Sequence, residues 1–283
     1  MTGILLSEAS KLTATPLKKG VIETIMKESS VLEKLPFVDI SGNAFSFARE
    51  KTDGGATFRD VNESYPSNMP TYENLVESLR LLGSKVEVDR YFELTQNIHE
   101  VRAEATESKI KAIANEFTRV FFKGNAAVNP LEFNGIDQHI TAKNTITVGN
   151  KRLVTPMVDA LLDCVDGADM LYMNKRTRRH LTGLFGVQGA YVQQGQDSFG
   201  RFVSVYADTK IGVLEDSMLP DNEIYAVKFG EGGVVGIQNG ELQVEDNGLR
   251  GTMYETLIEW YVSTVMFNPK GVAKLTGFNL EDL

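Results

Sequence analysis

The sequence contains one cysteine and three histidines in 283 residues. The single cysteine, Cys164, excludes an internal disulfide and any metal site built from several thiolates, and this usage is typical of a protein that folds in a reducing compartment. His99, His139 and His180 are scattered, and none has the spacing that brings two metal ligands together. We therefore expect packed or solvated histidines, a buried small hydrophobic residue at Cys164, and neither a metal nor a cofactor.

The chain also lacks an apolar run of the ~18–20 residues that a membrane-spanning helix needs. Its first residues have no basic flank and only a short apolar stretch, so we expect no signal peptide and no membrane partner. Basic residues are in the minority, because 29 Lys and Arg face 38 Asp and Glu and give a net charge of −9. A domain that binds a specific DNA sequence normally has a basic face, and this balance argues against one.

Motifs for catalysis are missing as well. The glycine clusters at 54–55, 186–189 and 230–233 do not follow a buried strand and open a helix, as a dinucleotide-binding loop does, and no Walker lysine is present. Paired carboxylates and a catalytic triad are also lacking. We therefore expect no catalytic residues and a protein that is not an enzyme.

The strongest local charge feature is the basic run at residues 175–180, Lys-Arg-Thr-Arg-Arg-His. Such a run is able to contact phosphate. A solvated helix face or a subunit contact is the more common role, so these three interpretations stay open.

The chain does contain a succession of helix and strand patterns. Thr15 as N-cap, Pro16 in the first turn and apolar residues at Leu17, Val21 and Ile25 predict one helix from about 15 to 35. Such a helix cannot bury its apolar face alone, so it requires a neighbouring element.

The next segment, 37–83, predicts a long β-hairpin or flap. Phe45 and Phe47 alternate with small or polar residues, a glycine turn follows at 53–55, and the stretch 62–72 is polar and contains two prolines. A lone two-stranded ribbon is only marginally stable in water. We therefore expect support from outside the monomer.

A 3.6-residue apolar period from about 95 to 123, ended by Gly124, predicts a helix roughly 40 Å long. Beyond residue 136 the patterns alternate between helix and strand. Helices are predicted from 155 and over 175–185, with strands at 170–173, 203–206, 211–214, 224–229, 234–237 and 256–267 and a short terminal helix after Pro269. The fold class is therefore mixed α+β.

Four features follow one another along the chain. They are the order of arm, flap, strand and long helix; Phe122-Lys123-Gly124-Asn125 with Asn129-Pro130-Leu131 and Gly135-Ile136; Ala168-Asp169-Met170-Leu171-Tyr172-Met173-Asn174 before a helix with Leu181 and Leu184; and a final strand before Asn268-Pro269 and 270–275. In this order they resemble the major capsid proteins of tailed bacteriophages, whose Hong Kong ninety-seven type shell fold is shared with encapsulins.

The resemblance implies a domain layout. It implies an N-terminal arm at 1–36, an extended flap, or E-loop, at 37–83, and a peripheral domain at 84–135 and 245–268 with a spine helix at about 95–123. The remainder, 136–244 and 269–283, would form an axial domain. The arm begins almost at Met1, so a separate scaffold and a processed form both stay open.

The resemblance also implies a function. The chain would assemble with itself through pentamers and hexamers into an icosahedral shell around double-stranded DNA, packaged without sequence-specific binding. The implied further partners are a scaffolding protein, a portal and, in some family members, a decoration protein. The implied location is the virion, after assembly in the host cytoplasm. An acidic chain suits this role, because a strongly basic lining would adsorb the genome.

Apolar anchors between subunits are expected at Phe45, Phe47 and Phe58. Two charged residues join them as contact candidates, because some family members cross-link a flap lysine to an asparagine with the help of a glutamate. Lys51 and Glu259 match the lysine and the glutamate.

The asparagine position of that pattern is occupied by Gly251, Thr252 and Met253, and Asn247 lies too early. Without an asparagine side chain the lysine has no carbonyl to attack, so we expect no cross-link. Protein boiled in SDS should therefore migrate as the 31.3 kDa monomer. A ladder of larger bands would contradict this.

Two alternatives stay open. An encapsulin-type compartment has the same fold but encloses an enzyme instead of a genome, so copurifying DNA or cargo would distinguish the two. A soluble enzyme with an unrecognised site would instead form a small oligomer and show saturable turnover.

Overall fold

The structure is a computed structural model that describes residues 3–12, 16–52, 55–65, 69–95, 98–188, 193–196 and 199–280. Its helices are α1 (Leu6–Leu12), α2 (Pro16–Glu28), α3 (Ser30–Lys34), α4 (Arg90–Thr95), α5 (Ile98–Lys123), α6 (Ile136–His139), α7 (Thr155–Asp163) and α8 (Lys175–Gln188). Its strands are β1 (Ile4–Leu5), β2 (Pro36–Asp39), β3 (Ala44–Thr52), β4 (Thr71–Ser78), β5 (Arg80–Asp89), β6 (Thr145–Thr147), β7 (Met170–Asn174), β8 (Gln193–Gln196), β9 (Phe202–Tyr206), β10 (Thr209–Leu214), β11 (Glu223–Val227), β12 (Val234–Gln238), β13 (Gln243–Arg250), β14 (Met253–Met266) and β15 (Val272–Thr276).

The single helix expected over 15–35 is wrong, since α2 and α3 are separate. Ser29 between them has an extended backbone, with φ −123° and ψ 114°, and its Oγ accepts a hydrogen bond from Leu32 N at 3.3 Å. This is an N-cap interaction. The same hydroxyl lies 2.7 Å from Thr118 Oγ1 on α5. The break therefore lets α3 turn onto the long helix. Thr15 lies outside the described residues.

Strand β14 organises a six-stranded sheet. One of its edges pairs antiparallel with β5, from Met253 opposite Asp89 to Val262 opposite Arg80. The other edge pairs with β13 along its first half and with β12 along its second half. Strand β2 joins β12 in parallel, and β1 completes the sheet.

Helix α5 corresponds to the helix expected over 95–123, and it packs on this sheet through aromatic rings. Phe117 is fully buried and stacks on Trp260 of β14 with ring centroids 5.3 Å apart. Phe37 of β2 lies 5.1 Å from the same indole. The indole Nε1 donates to Gln238 Oε1 at 2.9 Å, so its polar atom is satisfied inside the core.

The second sheet has seven strands in the order β6-β15-β11-β7-β10-β9-β8. Its central strand β7 is buried along its whole length. Met170 and Tyr172 belong to the core around α5, whereas Leu171 and Met173 belong to a second core with α7 and α8. A strand covered on both faces reads as a continuous apolar run rather than as an alternation, which explains the sequence pattern at 170–173.

Several expectations for the second half of the chain need correction. The terminal helix after Pro269 is wrong, because only a single 3₁₀ turn forms there and 272–276 is strand β15, paired with β11 and β6. Helix α8 continues past the expected end at 185 to Gln188. Strand β13 was not expected. Cys164 is the half-buried C-cap residue of α7, and its thiol is free.

Candidate assembly surfaces

The flap is a two-stranded ribbon formed by β3 and β4, with Ala44 opposite Ser78 and Thr52 opposite Thr71. Arg49 and Glu73 face each other across it, and the guanidinium donates to Glu73 Oε1 at 3.0 and 2.6 Å. Within the described residues, neither strand pairs with another sheet. A ribbon of this kind needs further packing to be stable in water.

The flap tip, residues 55–65, is exposed throughout. Arg59 holds it together locally, donating to the Glu63 carbonyl at 3.1 Å and lying over the Tyr65 ring at 5.0 Å. Phe58 is fully exposed, and Val61 is 80% exposed. The tip therefore presents the apolar side chains of Phe58 and Val61 to solvent from a loop with defined local contacts.

Phe45 and Phe47 lie at the base of the flap rather than at its tip. Their rings stack with centroids 6.1 Å apart, and both meet the edge of Phe267, at 6.3 and 5.4 Å. Both side chains are half-buried within their own chain. Their contacts join the flap to the end of β14, so the structure brings these two candidates together and places Phe58 apart from them.

The two charged candidates lie on strands. Lys51 is on β3, and its side chain is outside the described part of the structure. Glu259 is on β14, where its Oε2 accepts a hydrogen bond from Tyr261 Oη at 3.2 Å. Contacts of Lys51 and Glu259 between subunits stay a prediction.

The flap base also contains a half-buried acid and a half-buried imidazole. Glu77 Oε1 on β4 lies 3.6 Å from His139 Nε2 on α6. Burial raises the pKa of Glu77 although Arg80 opposes the shift, and burial together with the nearby Arg49 lowers the pKa of His139. His139 is therefore neutral at pH 7, and the stabilisation that depends on its neutral form is lost as the pH falls below its ordinary pKa.

A group that sequence reasoning missed joins the end of α5 to the second sheet. We call Lys123, Asp137, Glu223, Tyr225 and Lys274 the ion cluster. Lys123 pairs with Glu223 and, at 3.0 Å, with Asp137, while Lys274 pairs with Asp137 at 2.8 Å and with Glu223 at 3.1 Å. The Tyr225 hydroxyl lies 2.9 Å from Asp137 and 3.0 Å from Glu223.

The ion cluster is balanced in charge, since two ammonium groups face two carboxylates. Burial works against ionisation of Asp137, but hydrogen bonds from Lys274 and Lys123 outweigh it and lower the pKa of this carboxyl. Burial likewise opposes the charge of Lys274, yet its carboxylate partners raise its pKa. Burial and both carboxylates raise the pKa of Tyr225, so its hydroxyl stays protonated. Sequence spacing gives no signal for this cluster, because its members come from four separate segments.

Other apolar side chains are exposed as well. On the flap these are Met69 at 81%, Tyr72 at 64% and Val76 at 61%; in the loop after α5 they are Val128 at 81% and Leu131 at 82%. Within the described residues no group of three or more His, Cys, Asp and Glu is arranged to hold a metal ion. No helix there is long and apolar enough to cross a bilayer.

Comparison with known protein families supports the shell interpretation. Residues 16–154, about half of the chain, match the family model described as Major capsid protein GP7. The match covers α2 and α3 of the arm, the flap and α5. No curated protein sequence matches the chain.

Solved structures extend the likeness to nearly the whole chain. The SrpI encapsulin of Synechococcus elongatus has a TM-score of 0.65 at 15% identity, covering 88% of this chain and 86% of its own. The capsid of a native GTA particle gives 0.64 at 14%, covering 89% and 91%. The Mycobacterium phage Bobi structure gives 0.63 at 12%, covering 89% and 90%.

At these identities the structural likeness establishes the shell fold, which phage capsids and encapsulins share. The family match adds the assignment within that fold and favours a phage capsid over an encapsulin. Together they show that residues 16–154 match the major capsid protein family and that nearly the whole chain has the Hong Kong ninety-seven type shell fold.

Proposed function

We propose that the protein is the coat subunit of a tailed bacteriophage and that it assembles through pentamers and hexamers into an icosahedral shell around double-stranded DNA. The observation that carries this proposal is the flap. Its two strands pair with each other but, within the described residues, with no other strand, and Phe58 at its tip is fully exposed. The apolar surface of the tip is therefore buried only against another chain. A subunit that completes its packing between copies is expected in a closed symmetric assembly.

The proposed domain layout is the one expected from the sequence, except that β12, which lies in the segment 136–244, pairs with β14 of the six-stranded sheet and goes with the peripheral domain. The arm and flap reach neighbouring subunits, a peripheral domain surrounds α5, and an axial domain surrounds the seven-stranded sheet. Two separate hydrophobic cores support this division, one around α5 and one between the second sheet and α7 with α8. The larger core also contains side chains of the second sheet, which is consistent with a firm contact between the two domains.

The further partners follow from the same role. A scaffolding protein, a portal and a decoration protein would act at the assembled shell, in the virion and during its assembly in the host cytoplasm. The packaged DNA would be held without sequence specificity. In this role the protein supplies contacts rather than catalysis.

Negative-stain electron microscopy of the purified protein, with size-exclusion chromatography alongside, tests this function. We expect closed icosahedral particles or rings of five and six subunits. Particles that copurify with DNA would support the capsid, whereas particles loaded with one enzyme would support an encapsulin. A uniform monomer or dimer that forms no rings or shells with a crowding agent or a scaffold candidate would contradict the shell function.

A further inference from the structure

A pocket of about 240 Å³ lies between the arm and the free end of the second sheet. Helices α2 and α3 form one wall, and α8 with β9 and β10 forms the other. Five cationic side chains line it: Lys27, Lys34, Arg178, Arg201 and Lys210. Within the described part of the chain, two acidic side chains do so, Glu28 and Glu33. The charge of this pocket is thus opposite in sign to the net charge of the chain, which is −9. We call this cavity the basic pocket.

Both acids of the basic pocket have a cationic partner, and one of these partners, Lys34, is itself a cation of the pocket. Glu33 is 4% exposed and pairs with Lys34 at 2.9 Å. Glu28 lies 3.7 Å from Lys111 on α5, which does not line the pocket. Both acids lie on the wall formed by α2 and α3, so the wall formed by α8, β9 and β10 has a net positive charge.

Two buried polar atoms of the pocket-lining residues have no hydrogen-bond partner among the described residues. They are Ser30 Oγ and Arg178 Nε. Both groups carry a donor hydrogen, and a buried donor without an acceptor is costly. An oxyanion supplies several acceptor oxygens, and the planar guanidinium matches the geometry of phosphate oxygens.

The other cations are held in place by contacts within the chain. Arg201 Nη1 donates to the Lys27 carbonyl at 3.0 Å, and Lys210 Nζ donates to the Gln196 carbonyl at 3.1 Å. The charged ends of Lys27 and Arg201 lie 5.9 and 5.5 Å from the centre of the Phe199 ring. This ordering lowers the entropy that binding would otherwise cost.

We propose that the basic pocket binds a phosphate group. In the assembled shell that group is a phosphodiester of the packaged nucleic acid, a step that rests on the proposed function. The pocket is smaller than the ~300–1,000 Å³ of sites for drug-sized ligands, so it suits one phosphate and not a whole nucleotide. One backbone contact per subunit, repeated over a shell, holds nucleic acid without reading its sequence.

The basic run at 175–180 thus divides into different roles. Arg176 pairs with Asp221 at 3.0 Å, whereas Arg178 lines the pocket. Arg179 is exposed and does not line it. Arg178 and its neighbour therefore form a matched pair for mutation, because either change removes one positive charge from the same helix.

The experiment measures fluorescence anisotropy of a short labelled DNA duplex, titrated with the purified protein at several salt concentrations. We expect Arg178→Ala to weaken binding about tenfold and to reduce the slope of log affinity against log salt by about one, as for loss of one phosphate contact. Arg179→Ala should change the affinity less than about twofold. Lys210→Ala provides a second variant with the effect expected of Arg178→Ala, should the half-buried Arg178 be needed for folding.

Inorganic phosphate, added against chloride at equal ionic strength, distinguishes the two sources of the group. Displacement of the duplex by phosphate supports one shared pocket. Phosphate binding that depends on Arg178, with DNA binding that does not, keeps the pocket and overturns its assignment to nucleic acid. If the Arg178 and Arg179 variants lose the same affinity for DNA, the proposed pocket is wrong, because the DNA is then attracted by the overall positive charge of the helix surface. Binding of polyglutamate but of neither phosphate probe overturns it in favour of an acidic protein segment.

Failure of this proposal is distinct from failure of the shell function. Shells that form normally while DNA binding ignores Arg178 overturn the nucleic-acid assignment alone. Absence of shells under all conditions overturns the shell function, and titration with inorganic phosphate still tests the pocket.

Discussion

Replacing Phe58 by serine should abolish shell formation at concentrations where the unmodified protein assembles, while the fold of the subunit is kept. The ring is fully exposed, so its loss removes no packing inside the subunit. Burying a phenylalanine against a neighbour contributes about 1.5–3 kcal/mol, and central aromatic contacts reach about 2 kcal/mol or more. A loss of ~2–3 kcal/mol per contact raises the concentration needed for assembly by roughly 30- to 150-fold.

Light scattering against protein concentration measures the threshold for this assembly, and thermal melting of the unassembled subunit reports the fold. Phe58→Leu is the matched control, because it keeps most of the apolar area and should assemble near the original threshold. Phe47→Ala should behave differently, since Phe47 packs on Phe45 and Phe267 and its loss should lower the melting temperature as well. Assembly of Phe58→Ser at the unmodified threshold would show that the flap tip makes no subunit contact.

Replacing Lys274 by methionine should destabilise the subunit by about 2–4 kcal/mol, close to the cost of breaking a buried ion pair. Lys274 is 13% exposed and pairs with two carboxylates that are 22% and 12% exposed. Its removal leaves Asp137 and Glu223 with Lys123 as their remaining ammonium partner within the ion cluster. Urea unfolding of unassembled subunits at pH 7 measures the loss of unfolding free energy.

The pH dependence follows from the directions of the two pKa shifts. The pKa of Asp137 is lowered in the fold, so its stabilisation is present above the unfolded-state value of about 3.9 and is lost as the pH falls through the lower folded value. The pKa of Lys274 is raised, so its stabilisation is present below about 10.4 and is lost as the pH rises through the higher folded value. The difference between the two proteins should therefore be constant from about pH 5 to pH 9 and should shrink in acid.

Lys270→Met is the control for this prediction, because Lys270 is exposed in the turn before β15. A surface change of this kind usually alters stability by less than about 0.5 kcal/mol. Equal unfolding curves for the Lys274 and Lys270 variants would show that the ion cluster contributes no net stability.

Sequence patterns predicted the long, periodic elements well. They predicted badly the short elements whose structure depends on contacts with distant parts of the chain. Helix α5 was predictable because its apolar period is sustained over its length. The break at Ser29 was not, because its hydrogen bond to Thr118 joins residues that are distant in the chain. Strand β15 was taken for a helix because five apolar and polar residues fit either period, and its pairing with β11 and β6 decides the outcome.

The candidate surfaces show the same division. The exposure of Phe58 could be predicted because an apolar residue in a polar flap tip is visible in the sequence, and its contact with another subunit stays a prediction. The base contacts of Phe45 and Phe47 with Phe267 could not, since they depend on how β3 meets the end of β14. The ion cluster and the basic pocket draw single residues from separate segments. Only the run at 175–180 gave a partial signal, and it could not show which arginine lines the pocket.

The pairing of β14 with β5 has a consequence for the order of events during synthesis. Arg80 pairs with Val262, so β5 leaves the ribosome long before its partner exists. Contacts between such distant segments require the closure of a long loop, and the entropy lost in that closure slows folding. During this interval the flap, which directly precedes β5, lies next to an unpaired strand edge that is prone to aggregation. In a nascent subunit, the pairing of β5 with β14 that supports the flap therefore forms only when nearly the whole chain has been made. This delays assembly until each copy is finished.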